Sequence, residues 1–198
     1  MFGMEEIMKR FVVGLLAIVL GTPAFATVYY VTDGYFGTKT IRNYDSLIMT
    51  GGGGDLLKGE DYSVLEIQNT SPYVPHSGGI LNLDLSDSSR LYFSGGQVHQ
   101  FYIDNYATAV LSGGRIDEIW GFQYYSSPKP IEVICKSWAY STTTKYLTGL
   151  WGNDSAFSMK LVDQSGYAPV FDNIKFTIIP EPMTLILLSL GGLIIRKK

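Results

Sequence analysis

The 198-residue chain has a single cysteine, Cys135, and two histidines, His76 and His99. One thiol cannot form an intramolecular disulfide, which excludes a cysteine-stapled scaffold. Cys135 lies within the apolar stretch IEVICKSW and reads as a small buried residue, and a catalytic thiol would need a base beside it. His76 falls in a proline-containing segment. With no His, Asp or Glu cluster at ligand spacing, neither histidine begins a metal motif. No Gly-Lys-Ser follows the glycines at 51–54, so there is no phosphate loop. Those glycines run into Asp55, but a calcium repeat of the G-G-x-G-x-D type needs its Asp where Leu56 stands. No metal and no cofactor is expected. Positive charge is also scarce: residues 27–180 hold ten Lys and Arg against fifteen Asp and Glu, a net charge of −5. Basic residues scattered singly over an acidic chain argue against a nucleic-acid partner.

Long apolar runs are confined to the two ends. Lys9 and Arg10 precede residues 11–20 (FVVGLLAIVL), and Ala24-Phe25-Ala26 follows. A positive start, a short apolar run and an A-x-A triplet are the order of a secretory signal peptide. Ten residues rise only about 15 Å as a helix, against a hydrocarbon core of about 30 Å. Residues 1–26 are therefore expected to be removed by signal peptidase, with Ala24 and Ala26 as the small residues at the cut. At the other end, Pro180-Glu181-Pro182 precedes an uncharged run, 183–195, and the basic cluster Arg196, Lys197 and Lys198. The prolines keep a helix from extending backwards, and the basic end favours the cytoplasmic side of a membrane.

The segment PEPMTLILLSLGGLIIRKK resembles the PEP-CTERM sorting tail of Gram-negative bacteria. The Pro-Glu-Pro motif, the short apolar helix and the basic end are all present. The resemblance covers about the last twenty residues and implies an itinerary. A helix over 183–195 anchors the chain transiently in the inner membrane, and an exosortase-type enzyme recognises Pro180, Glu181 and Pro182 and cuts. The protein then passes to the cell surface or extracellular matrix, with exopolysaccharide as its partner there.

Residues 27–179 are left as one mature domain, large enough to bury a core. No stretch there sustains helical apolar spacing. Short alternating segments recur, such as Val64-Leu65-Glu66-Ile67 and Phe101-Tyr102-Ile103, together with the stretch from Phe171 to Phe176, and these predict strands. Ser-Gly-Gly begins at Ser77, Ser94 and Ser112, with Thr50-Gly51-Gly52 as a looser copy. Aligned on these glycines, Leu47, Leu65, Leu91 and Ala109 share one position. A period near 18 residues is too short for a helical repeat or a propeller blade. It suits one turn of a β-solenoid, here expected as three short strands joined by tight corners with turns about 4.8 Å apart.

The expected fold is thus all-β: a short β-solenoid over about 44–122, a C-terminal cap over about 131–179, and hydrophobic helices at both ends. A β-sandwich with glycine-rich turns is the alternative. Inward positions are expected at Leu47, Met49, Leu65, Ile67, Leu83, Leu85, Leu91, Phe93, Phe101, Ile103, Ala109 and Leu111. The extra residues between Leu65 and Leu91 should loop out over 70–76, where two prolines stand. Leu147 to Trp151 and Ala156 to Val162 should pair as the cap over an otherwise open edge. Ser-Gly-Gly turns with a late LTGLWGNDSAF segment also resemble short β-solenoid surface proteins that carry this same tail.

Candidate chemistry in the repeat is limited to acids and aromatics. Asp84, Asp87, Asp104, Asp117 and Glu118 could form an acidic face, and stacking of turns would bring Asp87 near Asp104. Glycoside hydrolysis needs two carboxyl groups roughly 5–10 Å apart in a cleft. Tyr92, Tyr102, Tyr106, Trp120, Tyr124 and Tyr125 could form a sugar-stacking strip, core packing or edge protection. The favoured reading is a non-enzymatic surface or matrix protein; the alternatives are a polysaccharide-active enzyme and a glycan-binding module.

Overall fold

The computed structural model describes residues 26–104, 106–122 and 130–180. The signal segment up to Phe25 with Ala24, the tail from Glu181 to Lys198 with its expected helix, and Tyr124 and Tyr125 lie outside the described residues. Those described are all-β, in one open sheet of fourteen strands, and contain no α-helix. Among them no helix is long and apolar enough to cross a membrane.

Short strands form one column: β1 (Val28–Val31), β3 (Ser46–Met49), β5 (Val64–Ile67), β7 (Arg90–Phe93) and β9 (Thr108–Leu111). Longer strands form a second: β2 (Tyr35–Ile41), β4 (Gly53–Gly59), β6 (Gly79–Leu85), β8 (Gln97–Asp104) and β10 (Arg115–Phe122). Within each column every strand pairs in parallel with the next. Successive strands of the chain therefore alternate between columns. The register Tyr29↔Leu47↔Leu65↔Leu91↔Ala109 advances 18 residues per turn, except for one step of 26. Sandwich hairpins would pair sequence neighbours in antiparallel fashion. Among the named strands that pairing is confined to β11 (Ile131–Tyr140), β12 (Tyr146–Trp151) and β13 (Ala156–Val162).

All twelve expected inward residues are buried, with relative exposures of 0–1%. They stack residue over residue, so the core is a set of apolar columns, each contributed by alternate positions of successive strands. The corners after β3, β7 and β9 each use a glycine pair, Gly51-Gly52, Gly95-Gly96 and Gly113-Gly114. Gly96 has φ +91°, a backbone that side chains with a Cβ resist, and a Cβ on Gly113 would run into the Ser94 carbonyl oxygen of the preceding turn. The other corner uses Asn43, Asp61 and Asp87, all near φ +58°. Asn and Asp tolerate this left-handed conformation better than other residues with a Cβ. Two of these carboxylates also reach back one turn: Asp61 accepts the Asn43 N–H at 3.1 Å and Asp87 the Asp61 N–H at 3.4 Å.

Two expectations are corrected. Each turn carries two strands, not three. The longer strand bends where its pairing skips one residue, at Gly37, Asp55, Leu81, His99 and Asp117. At the bends of β4, β6, β8 and β10 two consecutive side chains face outward, as with His99 and Gln100. That bend supplies the third side without a separate corner. The stretch from Phe171 to Phe176 is also not one strand: Val170–Asn173 is a 3₁₀ turn with Val170 and Asn173 buried, and β14 begins afterwards as Ile174–Ile178.

The longer 26-residue turn accommodates an excursion whose second half is closed by a bridge between Val74 and Gly78. Thr70 anchors it from inside, accepting the Gln97 N–H at 2.7 Å. At the C-terminal end β11 continues the short column and β13 the long one, while β12 joins them antiparallel. Trp151 plugs this end: it is 1% exposed, lies 4.3 Å from the Phe157 ring, and its indole N–H donates to the Gly114 carbonyl at 2.9 Å.

Candidate functional site

Alternation along the long strands points every second side chain beyond the bend outward. Stacked over four turns, these form a face with Leu56 and Lys58 on β4, Asn82 and Asp84 on β6, Gln100, Tyr102 and Asp104 on β8, and Glu118, Trp120 and Phe122 on β10. A depression of about 560 Å³ lies in this face, lined among others by Lys58, Asn82, Asp84, Tyr102, Asp104 and Phe122.

Tyr102 and Phe122 supply the aromatic part of that lining, and Trp120 lies beside them on the same face. Tyr102 stacks against Trp120 at 5.6 Å and against Phe122 at 6.2 Å, and Phe122 meets the edge of Tyr167 at 5.5 Å. A polar chain fixes the rings. The Tyr102 hydroxyl donates to Gln100 Oε1 at 2.8 Å, Gln100 Nε2 donates to Glu118 Oε2 at 3.2 Å, and Trp120 Nε1 donates to the same oxygen at 3.0 Å. Burial pushes the Glu118 carboxyl up, but these two hydrogen bonds and the Lys160 ammonium 3.6 Å away together hold it below its ordinary range. Asp84 goes the other way. Burial raises it, and Lys58 Nζ at 3.8 Å only partly offsets this. Tyr102 is raised by burial first, then by the negative charges of Asp84 and Glu118. The face thus offers rigid aromatic surface beside acceptors and donors that are not all used up internally.

The sequence candidates divide. Asp84, Asp104, Tyr102 and Trp120 fall on this one face. Asp87 does not: it serves the corner, accepting from Asp61 N–H, while Asp104 lines the depression. Asp117 and Glu118 are neighbours in the chain but split at the bend, where Asp117 pairs with His99 at 3.0 Å and with Arg115 at 2.7 Å. Tyr92 is exposed on the short-strand column, away from the others. Sequence reasoning left both histidines alone, yet each meets an aspartate of another turn. His76 Nδ1 lies 2.9 Å from Asp55, which also accepts the Tyr35 hydroxyl at 2.6 Å. Burial first, and then this carboxylate, push the Tyr35 phenol up to about 12. The His99–Asp117 spacing of 18 was the available signal. Lys58, Asn82 and Gln100 were missed because isolated polar residues on a strand carry no motif. Cys135 is buried, and burial pushes its thiol up, away from nucleophilic use. Among the described residues no group of three His, Cys, Asp or Glu is placed to hold a metal ion.

Comparison with protein-family models, curated proteins and solved structures finds no match for this chain.

Proposed function

We propose that the protein is an exported, non-enzymatic component of the bacterial cell surface or extracellular matrix, and that its domain is a short β-solenoid that binds glycan along the long-strand face. The single observation that supports the binding role is the set of aromatic rings, Tyr102, Trp120 and Phe122, beside Asn82, Asp84, Asp104 and Lys58. Sugars present apolar C–H faces that stack on aromatic rings and hydroxyls that seek carboxylates and amides, and this face offers both on a rigid surface. Export rests on the residue pattern of 1–26, with cleavage after Ala26. Sorting rests on Pro180, Glu181 and Pro182, the apolar run 183–195 and the basic end Arg196, Lys197 and Lys198. The implied partners are signal peptidase, an exosortase-type enzyme and exopolysaccharide.

The test is titration of the purified protein with neutral oligosaccharides by calorimetry. Trp120→Ala and Tyr102→Ala should each weaken binding about tenfold, equivalent to about 1.4 kcal/mol of lost ring contact. Binding unchanged in both variants would contradict the assignment of this face.

Asp84 and Glu118 support a second reading. Both lie on the long-strand face with their carboxyls pushed in opposite directions, as a polysaccharide hydrolase divides its acid from its base. Release of reducing ends by the wild type, lost in Asp84→Asn, would favour that reading over the binding one.

A further inference from the structure

The corner residues after Asn43, Asp61 and Asp87 form a column of their own on another side of the molecule. It runs Tyr44, Tyr62, Ser88 and Tyr106, one residue per turn. Tyr44 and Tyr62 stack nearly parallel, 5.2 Å between ring centroids with 6° between planes. Three of the four positions are exposed tyrosines, at 61%, 58% and 84% for Tyr44, Tyr62 and Tyr106. The stack is interrupted at Ser88, whose backbone keeps the corner geometry, its N–H donating to the Asp61 carbonyl at 2.8 Å. A ring is missing from an otherwise continued column, and a cavity of about 470 Å³ lies there, lined by Tyr62, Ser88, Arg90 and Tyr106.

Tyr62 and Tyr106 are two turns apart, about 9.6 Å at the spacing of paired strands. One six-membered ring at the level of Ser88 would sit about 5 Å from each neighbour, inside the range that stacked rings prefer. Arg90, two residues after Ser88, opens β7 beside the gap. It is exposed, and among the described residues it has no carboxylate partner. The nearest corner acids, Asp61 and Asp87, already accept backbone N–H groups from the preceding turn. An unpaired guanidinium offers two parallel hydrogen bonds to a carboxylate.

We propose that the gap at Ser88 is a binding slot for one anionic sugar ring, a uronate residue of an acidic polysaccharide, sandwiched between Tyr62 and Tyr106 with its carboxylate on Arg90. The proposal shares with the preceding section only the glycan class of ligand; the slot and the long-strand face are separate surfaces.

The experiment is titration of the full chain with a galacturonate oligomer, a neutral glucan oligomer and benzoate. The wild type should bind the uronate oligomer in preference to the neutral one, and benzoate weakly. Arg90→Gln should weaken uronate binding at least tenfold. Ser88→Tyr supplies the missing ring and should abolish uronate binding while the melting temperature holds or rises, since Tyr44, Tyr62 and Tyr106 already occupy equivalent corners. Arg90→Gln and Ser88→Tyr should leave binding of the neutral glucan unchanged, which separates this slot from the long-strand face. The proposal is overturned if Arg90→Gln and Ser88→Tyr bind the uronate as the wild type does, if they weaken neutral-glucan and uronate binding alike, or if benzoate binds as tightly as the galacturonate oligomer.

Discussion

Ser63 and Ser89 occupy an inward column in which the next turn carries Ala107, and among the described residues neither buried serine hydroxyl has a hydrogen-bond partner. A buried hydroxyl that has lost water and gained nothing is a net cost. Ala107 shows that the same corner closes without it. Ser89→Ala is therefore expected to stabilise the protein by about 1 kcal/mol, read as a higher midpoint in urea with an unchanged slope; a lower midpoint would show that the hydroxyl has a partner after all. At this scale the sequence was legible for the inward leucines, whose spacing is set by the repeat, and for Cys135. It was not legible for His76 and His99, because a contact between turns joins residues that share no local pattern.

At the scale of the strand, each short element is four residues long, and β3, β5, β7 and β9 each bury two side chains, such as Leu91 and Phe93 of β7. An isolated strand of that length has no stability of its own; its register is fixed by the two turns stacked on it. Leu91 packs in the column between Leu65 and Ala109. Leu91→Asp would bury a charge there without a partner and should cost about 3 kcal/mol or more, seen as loss of the cooperative thermal transition. A variant as stable as the wild type would mean that Leu91 does not face the core. The strand pattern was readable because alternation marks the short strands and paired glycines mark the corners after β3, β7 and β9. The bend in the long strands was not, because two outward residues in succession break the period of two. Its trace in the sequence is the three-residue step between buried apolar positions, Ile80 to Leu83, Val98 to Phe101 and Ile116 to Ile119. The 3₁₀ turn at Val170–Asn173 was hidden for a related reason: an alternating stretch reads as a strand until tertiary packing buries consecutive residues in another geometry.

Across the whole molecule, parallel stacking of turns converts an 18-residue repeat into long surface columns, so that a sparse sequence pattern becomes a continuous aromatic or polar stripe. The long-strand face and the corner column both arise this way, from residues that are neighbours only across turns, and neither could be located before the turns were in register. β12 and β13 close one end, which removes strand edges that would otherwise recruit further chains. What the domain is for depends on where it goes, and the proposal is that it leaves the cell. The most direct measurement is intact-mass and terminal-peptide analysis of the protein recovered from the exopolysaccharide fraction and from the inner membrane. The account predicts matrix-associated protein that begins at Thr27 and lacks the residues beyond the Pro180-Glu181-Pro182 motif. It also predicts that a variant with alanine at all three motif positions still begins at Thr27 but keeps its tail and stays with the inner membrane. Matrix-associated protein that still carries residues 1–26, or a triple variant processed as the wild type is, would contradict it.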